Sequence, residues 1–252
     1  MSSISPYVGS MRIRIKENLQ FLGNWIDAVV TPILYLFLLY SIWSTLFPND
    51  VGKLLPYFLI VAFVIEEART RDLSIGYSNT ILRGWDQSFT KPVSSEFFVI
   101  LYSLGGITFY RIVPFIIGEV AVLLLFGPLA ALVGVIAYLA NIVLQFMLSY
   151  ALTALTYWIH HIWGVGVVIG IAISLLGGFT IPLSYMSSDV VKFLDYTPFP
   201  YFFYYNAEAV ITQDSAIILK LVTGSLAWSA IFLLVGSFLH AKGRKKFESF
   251  GG

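Results

Sequence analysis

Long apolar runs separated by short polar stretches dominate this chain, and most of them have the length of a membrane-spanning helix. A helix rises about 1.5 Å per residue, so about 20 apolar residues cross the hydrocarbon core of a bilayer. The pattern predicts six spans, at residues 26–47, 54–65 and beyond, 110–126, 129–157, 165–181 and 216–239. The connections after Phe47 and Phe126 are very short, which predicts tight antiparallel pairs. The expected fold is an all-α membrane protein with a single domain over residues 1–252.

The composition fits a chain whose main solvent is lipid. Hydrophobic residues make up 58% of the chain and charged residues 12%, with a mean hydropathy of +0.83. Soluble proteins carry roughly 25% charged residues, so water cannot be the main solvent here. The net charge of +1 gives no reason to expect a nucleic-acid partner, and the lack of cysteine excludes disulfides and thiolate metal sites. Residues 1–20 have no uninterrupted apolar region, so we do not expect a removable signal peptide.

The second span is short and is followed at once by charges. Residues 54–65 reach about 18 Å, and the charges that follow are Glu66, Glu67, Arg69, Arg71 and Asp72. At roughly 3 kcal/mol each, they would cost about 15 kcal/mol at the bilayer centre, against about 6 gained from the apolar run. Glu66–Arg69 and Glu67–Arg71 have the spacing of ion pairs on one helix. We therefore expect this helix to continue past the headgroups into the cytosol.

Lysine and arginine near the span ends predict the orientation, since they collect on the cytosolic side. With the N-terminus inside, the inner side holds Arg12, Arg14, Lys16, Arg69, Arg71, Arg83, Lys91, Lys242, Arg244, Lys245 and Lys246. The outer side holds Lys53, Lys192 and Lys220, and Arg111 is ambiguous. Both termini are therefore expected in the cytosol, with residues 1–25 as a cytosolic or interfacial helix, 26–239 as the six-span bundle and 240–252 as a cytosolic tail.

A polar hairpin at residues 80–92 interrupts the apolar pattern on the predicted cytosolic side. Trp85 and Phe89 are four residues apart, so a helical turn would place both rings on one face, with Arg83 and Asp86 beside them. An aromatic centre with a charged rim is typical of a compact protein interface. The hairpin is thus a candidate docking site for a cytosolic partner. The alternative is a loop that folds against its own helix ends.

The residues before the first span show a second periodic pattern. Apolar positions recur at helical spacing, at Met11, Ile15, Leu19, Leu22 and Ile26, while Arg12, Lys16 and Glu17 lie away from that stripe. This predicts an amphipathic helix at the inner membrane interface, basic enough to favour anionic lipid. A simple membrane anchor and a second contact for a cytosolic partner remain equal alternatives.

Taken in order, these features resemble the ABC-2 type permease family, the membrane subunits of ABC exporters. The order is a basic amphipathic N-terminus, a first span with an early Pro32, and a second span that leads to I-L-R-G-W-D-Q-S-F-T-K-P-V-S. Later come G-G-F-T-I-P-L and an aromatic outer segment with prolines. The family pattern at the hairpin falls on Ile81, Gly84, Asp86, Lys91 and Pro92. Ser88-Phe89-Thr90 departs from the leucine-rich stretch expected there, and the resemblance extends from about residue 11 to 239.

The resemblance implies that the hairpin is a coupling helix seated on a cytosolic nucleotide-binding ATPase subunit. It also implies a second permease subunit, identical or different, and export of a hydrophobic or amphipathic cargo such as a drug, lipid, glycan or peptide. The chain itself has no G-x-x-x-x-G-K-[ST] loop to bind phosphates. We therefore expect no enzymatic site, cofactor or metal on this chain, with ATP and Mg on the partner subunit. The expected location is the plasma membrane of a prokaryote.

Several residues within the spans are candidates for the transport path. The aromatic side chains of Tyr35, Tyr40, Trp43 and Phe58 suit a lipid-like cargo, although aromatics in spans more often serve packing. Glu119 is the notable carboxyl, since an ionisable group in a membrane is costly. It is a polar element of the path, or it forms an interhelical hydrogen bond with Asn141 or Gln145.

The outer segment at 182–215 is rich in tyrosine and phenylalanine and is broken by Pro182, Pro198 and Pro200. Aromatic residues with polar tips prefer the headgroup level. We expect one or two short helices that dip into the outer leaflet, and the resemblance implies that they cap the exit. An inert aromatic girdle is the alternative.

Two other function classes predict different sequence features. An autonomous secondary transporter or channel would use Glu119 and the charges at 66–72. An intramembrane hydrolase would need G-x-S-x-G or paired aspartates within spans, which the sequence lacks.

Overall fold

The computed structural model describes residues 22–65, 112–159 and 162–243, together with the single positions 8, 9, 12, 15, 16, 20 and 245. The regular secondary structure of these stretches is all helical, with eight α-helices and no strand. The helices are α1 (Leu22–Leu46), α2 (Val51–Leu59), α3 (Ile112–Phe126), α4 (Pro128–Thr153), α5 (Trp163–Leu176), α6 (Ser188–Leu194), α7 (Tyr204–Thr212) and α8 (Ser215–Gly243). Most of the predicted amphipathic helix at 1–25, and all of the charged extension at 66–72 and the hairpin at 80–92, lie outside the described residues.

Four of the described segments are long and apolar enough to cross a membrane: Ile26–Leu46, Pro48–Ile65, Pro128–Tyr157 and Ser215–Gly243. Helices α3 and α5 are apolar but shorter, with 15 and 14 residues. At about 1.5 Å per residue they reach only about 21 to 23 Å. An all-helical membrane architecture is therefore confirmed for the described residues, while the count of six spans stays a prediction.

The first two spans form a tight antiparallel hairpin, as their short connection predicted. Helix α1 contains Pro32 and ends in a bond from Phe47 N to Trp43 O (2.8 Å). A 3₁₀ turn at Pro48–Asp50 leads into α2, and a π-helix at Ile60–Ile65 continues α2. All six residues of this π-helix are buried.

The π-helix is buried, and one residue from each of α3 and α4 contacts it closely. Gly118 of α3 packs so tightly on Phe63 and Val64 that a Cβ there would lie 2.8 Å from the Cβ of Phe63. From α4, the Asn141 amide donates to the Ile65 carbonyl oxygen (3.2 Å). A glycine contact and a buried polar side chain thus fix this segment against α3 and α4.

Helices α3 and α4 are joined by Gly127, which has a left-handed backbone (φ 88°), and by Pro128 at the first position of α4. Proline suits that position because its missing N–H has no helical partner there. This single-residue connection agrees with the predicted tight pair.

Helix α8 packs along α4 through glycines and one buried histidine. Gly236 contacts Tyr150, Gly243 contacts Tyr157, and His240 lies between them with its Nε2 3.1 Å from the Tyr150 carbonyl oxygen. His240 Nε2 is also 3.3 Å from Thr153 Oγ1. The helix therefore runs four residues past its predicted end at 239, because its last turn packs on the 3₁₀ end of α4 at Ala154–Tyr157.

The outer faces of the helices are apolar, as expected for a bundle in lipid. On α1 the exposed side chains lie three to four residues apart: Ile26, Val30, Ile33, Leu34, Phe37, Leu38, Ile42 and Leu46. Exposing such a continuous apolar stripe to water costs free energy, so we expect it to face lipid or another apolar surface.

Candidate functional site

The G-G-F-T-I-P-L segment forms a compact turn at the outer end of α5. The fifth span was predicted to reach residue 181, but α5 ends at Leu176. The reason is the backbone of Gly178, whose φ of 96° favours glycine and stops the helix. After the turn, the chain folds back so that Thr180 N donates to Ser174 O (3.0 Å) and the two hydroxyls lie 2.8 Å apart.

Two aromatic side chains of the first hairpin hold this turn. The indole nitrogen of Trp43 in α1 donates to the Thr180 carbonyl oxygen (2.8 Å), and the Tyr57 hydroxyl in α2 donates to the Gly178 carbonyl oxygen (2.6 Å). Both acceptors are backbone groups with no helical partner, which are costly to bury unpaired. The outer end of α5 is therefore fixed to α1 and α2 by hydrogen bonds as well as by packing.

Aromatic rings continue from these bonds along the inner side of the turn. Tyr35 meets Phe179 edge-on at 5.2 Å, and Phe179 packs on Phe203 at 5.1 Å. The Trp43 ring stacks on Phe47 at 5.5 Å and contacts Tyr185 at 5.4 Å. We call the cluster of Tyr35, Trp43, Phe47, Phe179, Tyr185 and Phe203 the aromatic wall; Trp43, Phe179 and Phe203 in it are buried.

The four aromatic residues predicted for the transport path differ in their burial and in their contacts. Tyr35 and Trp43 belong to the aromatic wall, and Tyr40 is half-buried on α1. Phe58 is fully buried beside Tyr57, with ring centres 5.5 Å apart, so it belongs to the core of the chain. Trp43 is buried as well, whereas Tyr35 and Tyr40 are half-buried, so the role of all four residues in a path stays a prediction.

The outer segment folds into two short helices, α6 and α7, with 3₁₀ turns at Leu183–Tyr185 and Phe199–Tyr201. We call residues 177–214 the outer cap. Asp195 at the end of α6 accepts a hydrogen bond from the Tyr205 hydroxyl of α7, and its other oxygen is 3.0 Å from Lys220 Nζ of α8. Lys220 also lies over the Tyr205 ring, 4.3 Å from its centre. Burial, and then the bond to Asp195, raise the pKa of Tyr205 well above its ordinary range.

The carboxyl of Glu119 lies against Gly134, and the expected bond to Asn141 or Gln145 is wrong. Both Glu119 oxygens are buried, and neither has a hydrogen-bond partner in the described part of the chain. Asn141 lies seven residues beyond Gly134, about 10 Å along the axis, and its amide donates to the Ile65 carbonyl instead. Gln145 Nε2 in turn lies 3.4 Å from Asn141 Oδ1.

The predicted ATPase-coupling residues cannot be placed. Arg83, Gly84, Trp85, Asp86, Phe89, Lys91 and Pro92 all lie outside the described residues. Their role stays a prediction from the sequence.

Sequence reasoning missed Tyr57, Gly178 and the cluster of Asp195, Tyr205 and Lys220. A signal for Tyr57 was available, because its hydroxyl interrupts an apolar run and such a tip usually finds a partner when buried. Lys220 carried a signal too, as a lone cation near the start of an apolar helix. Their partners lie 121 and 25 residues away in the sequence and could not be inferred from spacing.

A comparison with protein families identifies the chain over most of its length. A family model described as ABC-2 family transporter protein matches residues 26–251. No curated protein and no solved structure matches. The matched region includes all eight helices apart from the start of α1, together with the aromatic wall and the outer cap. The chain therefore belongs to the ABC-2 family of transporter proteins.

Proposed function

We propose that this chain is the membrane-spanning permease subunit of an ATP-driven exporter. The observation that carries the proposal is family membership over residues 26–251, joined to four helices long and apolar enough to cross a membrane. Since the sequence has no phosphate-binding loop, the energy would come from ATP and Mg bound to a separate cytosolic ATPase. The hairpin residues Arg83 to Pro92 are the proposed contact with that subunit.

A second permease subunit, identical or different, completes the proposed path. The exposed stripe of α1 supports this, because Phe37 is 69% exposed and Leu34 59% in the isolated chain. The stripe continues on the side of α1 that bears no other described helix. Pairing two such chains would enclose a path between their first, second and fifth spans, with the aromatic wall at its outer end.

In the proposed cycle, ATP closes the two ATPase subunits and draws the coupling hairpins together. The second span would transmit this motion, since it joins the hairpin side of the chain to Tyr57. Tyr57 and Trp43 hold the outer turn by hydrogen bonds, so movement of α1 and α2 would move the outer end of α5 with them. The path would then open outward and release a hydrophobic or amphipathic cargo past the outer cap.

The outer cap is proposed to lie in the outer leaflet at the exit. The α6 side of the cap exposes Val190, Phe193 and Tyr196, the last with 85% of its surface accessible. On the same helix, Asp189 and Lys192 are exposed and charged. A short helix with separate apolar and charged sides is typical of an interfacial position.

The test is purification of the tagged full-length chain in mild detergent from its native membrane, followed by mass spectrometry of the proteins that co-purify. We expect a stoichiometric P-loop ATPase with the wild type and its loss in Trp85→Ala/Phe89→Ala. The matched control is Phe193→Ala/Tyr196→Ala, which removes two exposed rings from the outer cap and should retain the ATPase. Retention by both double variants would move the interface away from the hairpin. Absence of an ATPase from the wild type would contradict the exporter proposal.

A second candidate is an autonomous secondary transporter, and the buried carboxyl of Glu119 favours it. Both oxygens are buried without a described partner, and carboxyls within spans commonly belong to ion pathways and proton relays. This candidate predicts transport that survives ATP depletion, stops with a proton ionophore, and is lost in Glu119→Gln. Transport that stops on ATP depletion alone would exclude it.

A further inference from the structure

Every described lysine on the predicted outer side is paired with an aspartate. All three lysines there have an aspartate within reach: Lys53 with Asp50 at 3.5 Å, Lys192 with Asp189 at 3.9 Å, and Lys220 with Asp195 at 3.0 Å. No described lysine on this side is left over to neutralise another carboxylate. A second copy of the chain would bring the same three pairs.

Two outer carboxylates remain, and they differ in their surroundings. Asp214 is exposed and accepts a hydrogen bond from Ala216 N (2.8 Å), which caps the start of α8. Glu208 in α7 is half-buried, and it takes part in none of the salt bridges among the described residues. Burial raises its pKa above the ordinary value. A carboxylate that is partly removed from water without a partner is costly, so Glu208 is the group on this side that a cation would stabilise most.

Aromatic rings stand beside this carboxylate. Tyr204 precedes Glu208 by four residues in α7, so both side chains lie on one face of the helix. Burial, and then the negative charges of Glu208 and Asp195, raise the pKa of Tyr204 to about 12. Tyr57 lies close to Tyr204, because both approach Gly178. A Cβ at Gly178 would lie 2.8 Å from the Tyr57 hydroxyl and 3.1 Å from the Cβ of Tyr204.

This site adjoins the aromatic wall. Phe203 of the wall directly precedes Tyr204, and Tyr204 N donates to the Gly177 carbonyl oxygen (2.9 Å) at the start of the outer turn. A ligand held at Glu208 would therefore lie at the outer end of the proposed path. A carboxylate among tyrosines is the combination that recognises large organic cations, because the charge pairs with the carboxylate and the apolar groups lie on the rings.

We infer that Glu208 and Tyr204, next to Tyr57, form a binding site for lipophilic organic cations at the outer end of the path. The inference rests on the proposed transport function, and it narrows the cargo to amphipathic molecules with a positive charge. Glu208 supplies the charge and Tyr204 a ring face. The site differs from the Asp195–Lys220 pair, whose charges already compensate each other.

The test measures binding to the full-length chain in nanodiscs of neutral lipid, with empty nanodiscs subtracted. The probes are tetraphenylphosphonium and tetraphenylborate, which share size and shape but carry opposite charges. We expect Glu208→Gln to weaken phosphonium binding about tenfold and to leave borate binding unchanged or tighter. The matched control Asp189→Asn removes one outer negative charge at an exposed position and should change neither affinity.

Wild-type phosphonium affinity in Glu208→Gln would overturn the inference. An equal loss in Asp189→Asn would overturn it too, since general surface charge would then explain the binding. If Glu208→Gln fails to fold by size-exclusion chromatography, Tyr204→Leu replaces it, with an expected loss of about threefold for phosphonium alone. An unchanged affinity in that variant would also contradict the site.

The readout uses no ATP and no partner, so it is separate from the test of the proposed function. A chain that binds phosphonium through Glu208 but retains no ATPase would defeat the exporter proposal alone. A chain that retains its ATPase but binds both probes equally would defeat the cation site alone.

Discussion

Trp43 and Thr180 are joined by a hydrogen bond between the indole nitrogen and the carbonyl oxygen, 2.8 Å apart and 137 residues apart in the sequence. The bond connects the outer third of α1 to the turn after α5, and Tyr57 makes a parallel bond from α2 to Gly178. Two spans thus fix the position of one turn, which contributes Phe179 to the aromatic wall. Movement of α1 or α2 would therefore be expected to displace this turn.

Trp43→Phe is expected to destabilise the chain because it leaves the Thr180 carbonyl oxygen without its donor. An unsatisfied buried acceptor costs about 1–3 kcal/mol, and the apolar ring that replaces indole keeps most of the packing. Thermal unfolding in detergent, followed by fluorescence-detected size exclusion, measures the loss. Phe47→Leu, which alters a stacking neighbour without removing a hydrogen bond, is the control and should shift the midpoint less. Equal shifts would mean that packing, and not the bond, fixes the turn.

Gly178→Ala is expected to disrupt the outer turn. Its φ of 96° disfavours any side chain, and a Cβ would lie 2.8 Å from the Tyr57 hydroxyl. Strain of this kind costs of order 1–3 kcal/mol, to which the loss of the Tyr57 bond adds. The control is Gly164→Ala in α5, where a Cβ meets open space. The unfolding midpoint should fall in the first variant and hold or rise in the second; a tolerated Gly178→Ala would mean that the turn adapts.

The Asp195–Lys220 pair is expected to show a measurable coupling free energy. The two side chains are 32% and 41% exposed, so solvent screening limits the coupling to about 1 kcal/mol. A double-mutant cycle with Asp195→Asn and Lys220→Met, read by chemical or thermal unfolding, isolates it. The comparison pair Asp189–Lys192 is 3.9 Å apart and much more exposed, and should show no coupling. Equal coupling in both pairs would assign no special role to the cluster with Tyr205.

Glu208→Gln is expected to change how stability depends on pH. Burial raises the pKa of Glu208, so between the ordinary and the raised value the folded state holds a proton that the unfolded state has released. The free energy of unfolding then falls as pH rises through this window. Tyr204 beside this site stays neutral across the window, because burial and then the charge of Glu208 raise its pKa to about 12.

The variant should therefore be more stable than the wild type near neutral pH, and the difference should vanish below about pH 4. Unfolding midpoints measured across this range check it, with Asp214→Asn as a carboxylate control that lies outside the buried site. A wild-type profile that runs parallel to the Glu208→Gln profile would mean that Glu208 is fully solvated. Gain of stability together with loss of cation binding would indicate that the wild type keeps a destabilised carboxylate for binding.

The long helices could be predicted largely from their apolar runs, because a membrane span needs about 20 apolar residues. The end of α5 could not, since the Gly177-Gly178 pair stops a helix only where the backbone turns left-handed, and apolar residues continue on both sides. The sequence did mark this segment as notable through G-G-F-T-I-P-L. Its partners on α1 and α2 depend on tertiary contact, so the Tyr57 hydroxyl signalled that a partner exists but not which one.

Glu119 shows a similar limit. The sequence could predict that Glu119 lies in a span and that burying its carboxyl costs free energy. Which residue it contacts depends on the relative position and rotation of α3 and α4. The close contact with Gly134 sets that relation, and it leaves Asn141 two turns away, bound to the π-helix. Residue spacing along one helix does not show how far that helix is displaced along its axis relative to a neighbouring helix.

The π-helix at Ile60–Ile65 has a consequence for the direction of the chain beyond it. An α-helix turns about 100° per residue, and the wider π-helix holds an extra residue in the same length of axis. Deleting one residue here would convert it toward an α-helix and rotate all that follows relative to Tyr57. The segment therefore sets the angular phase between the outer turn and the part of the chain that leaves residue 65.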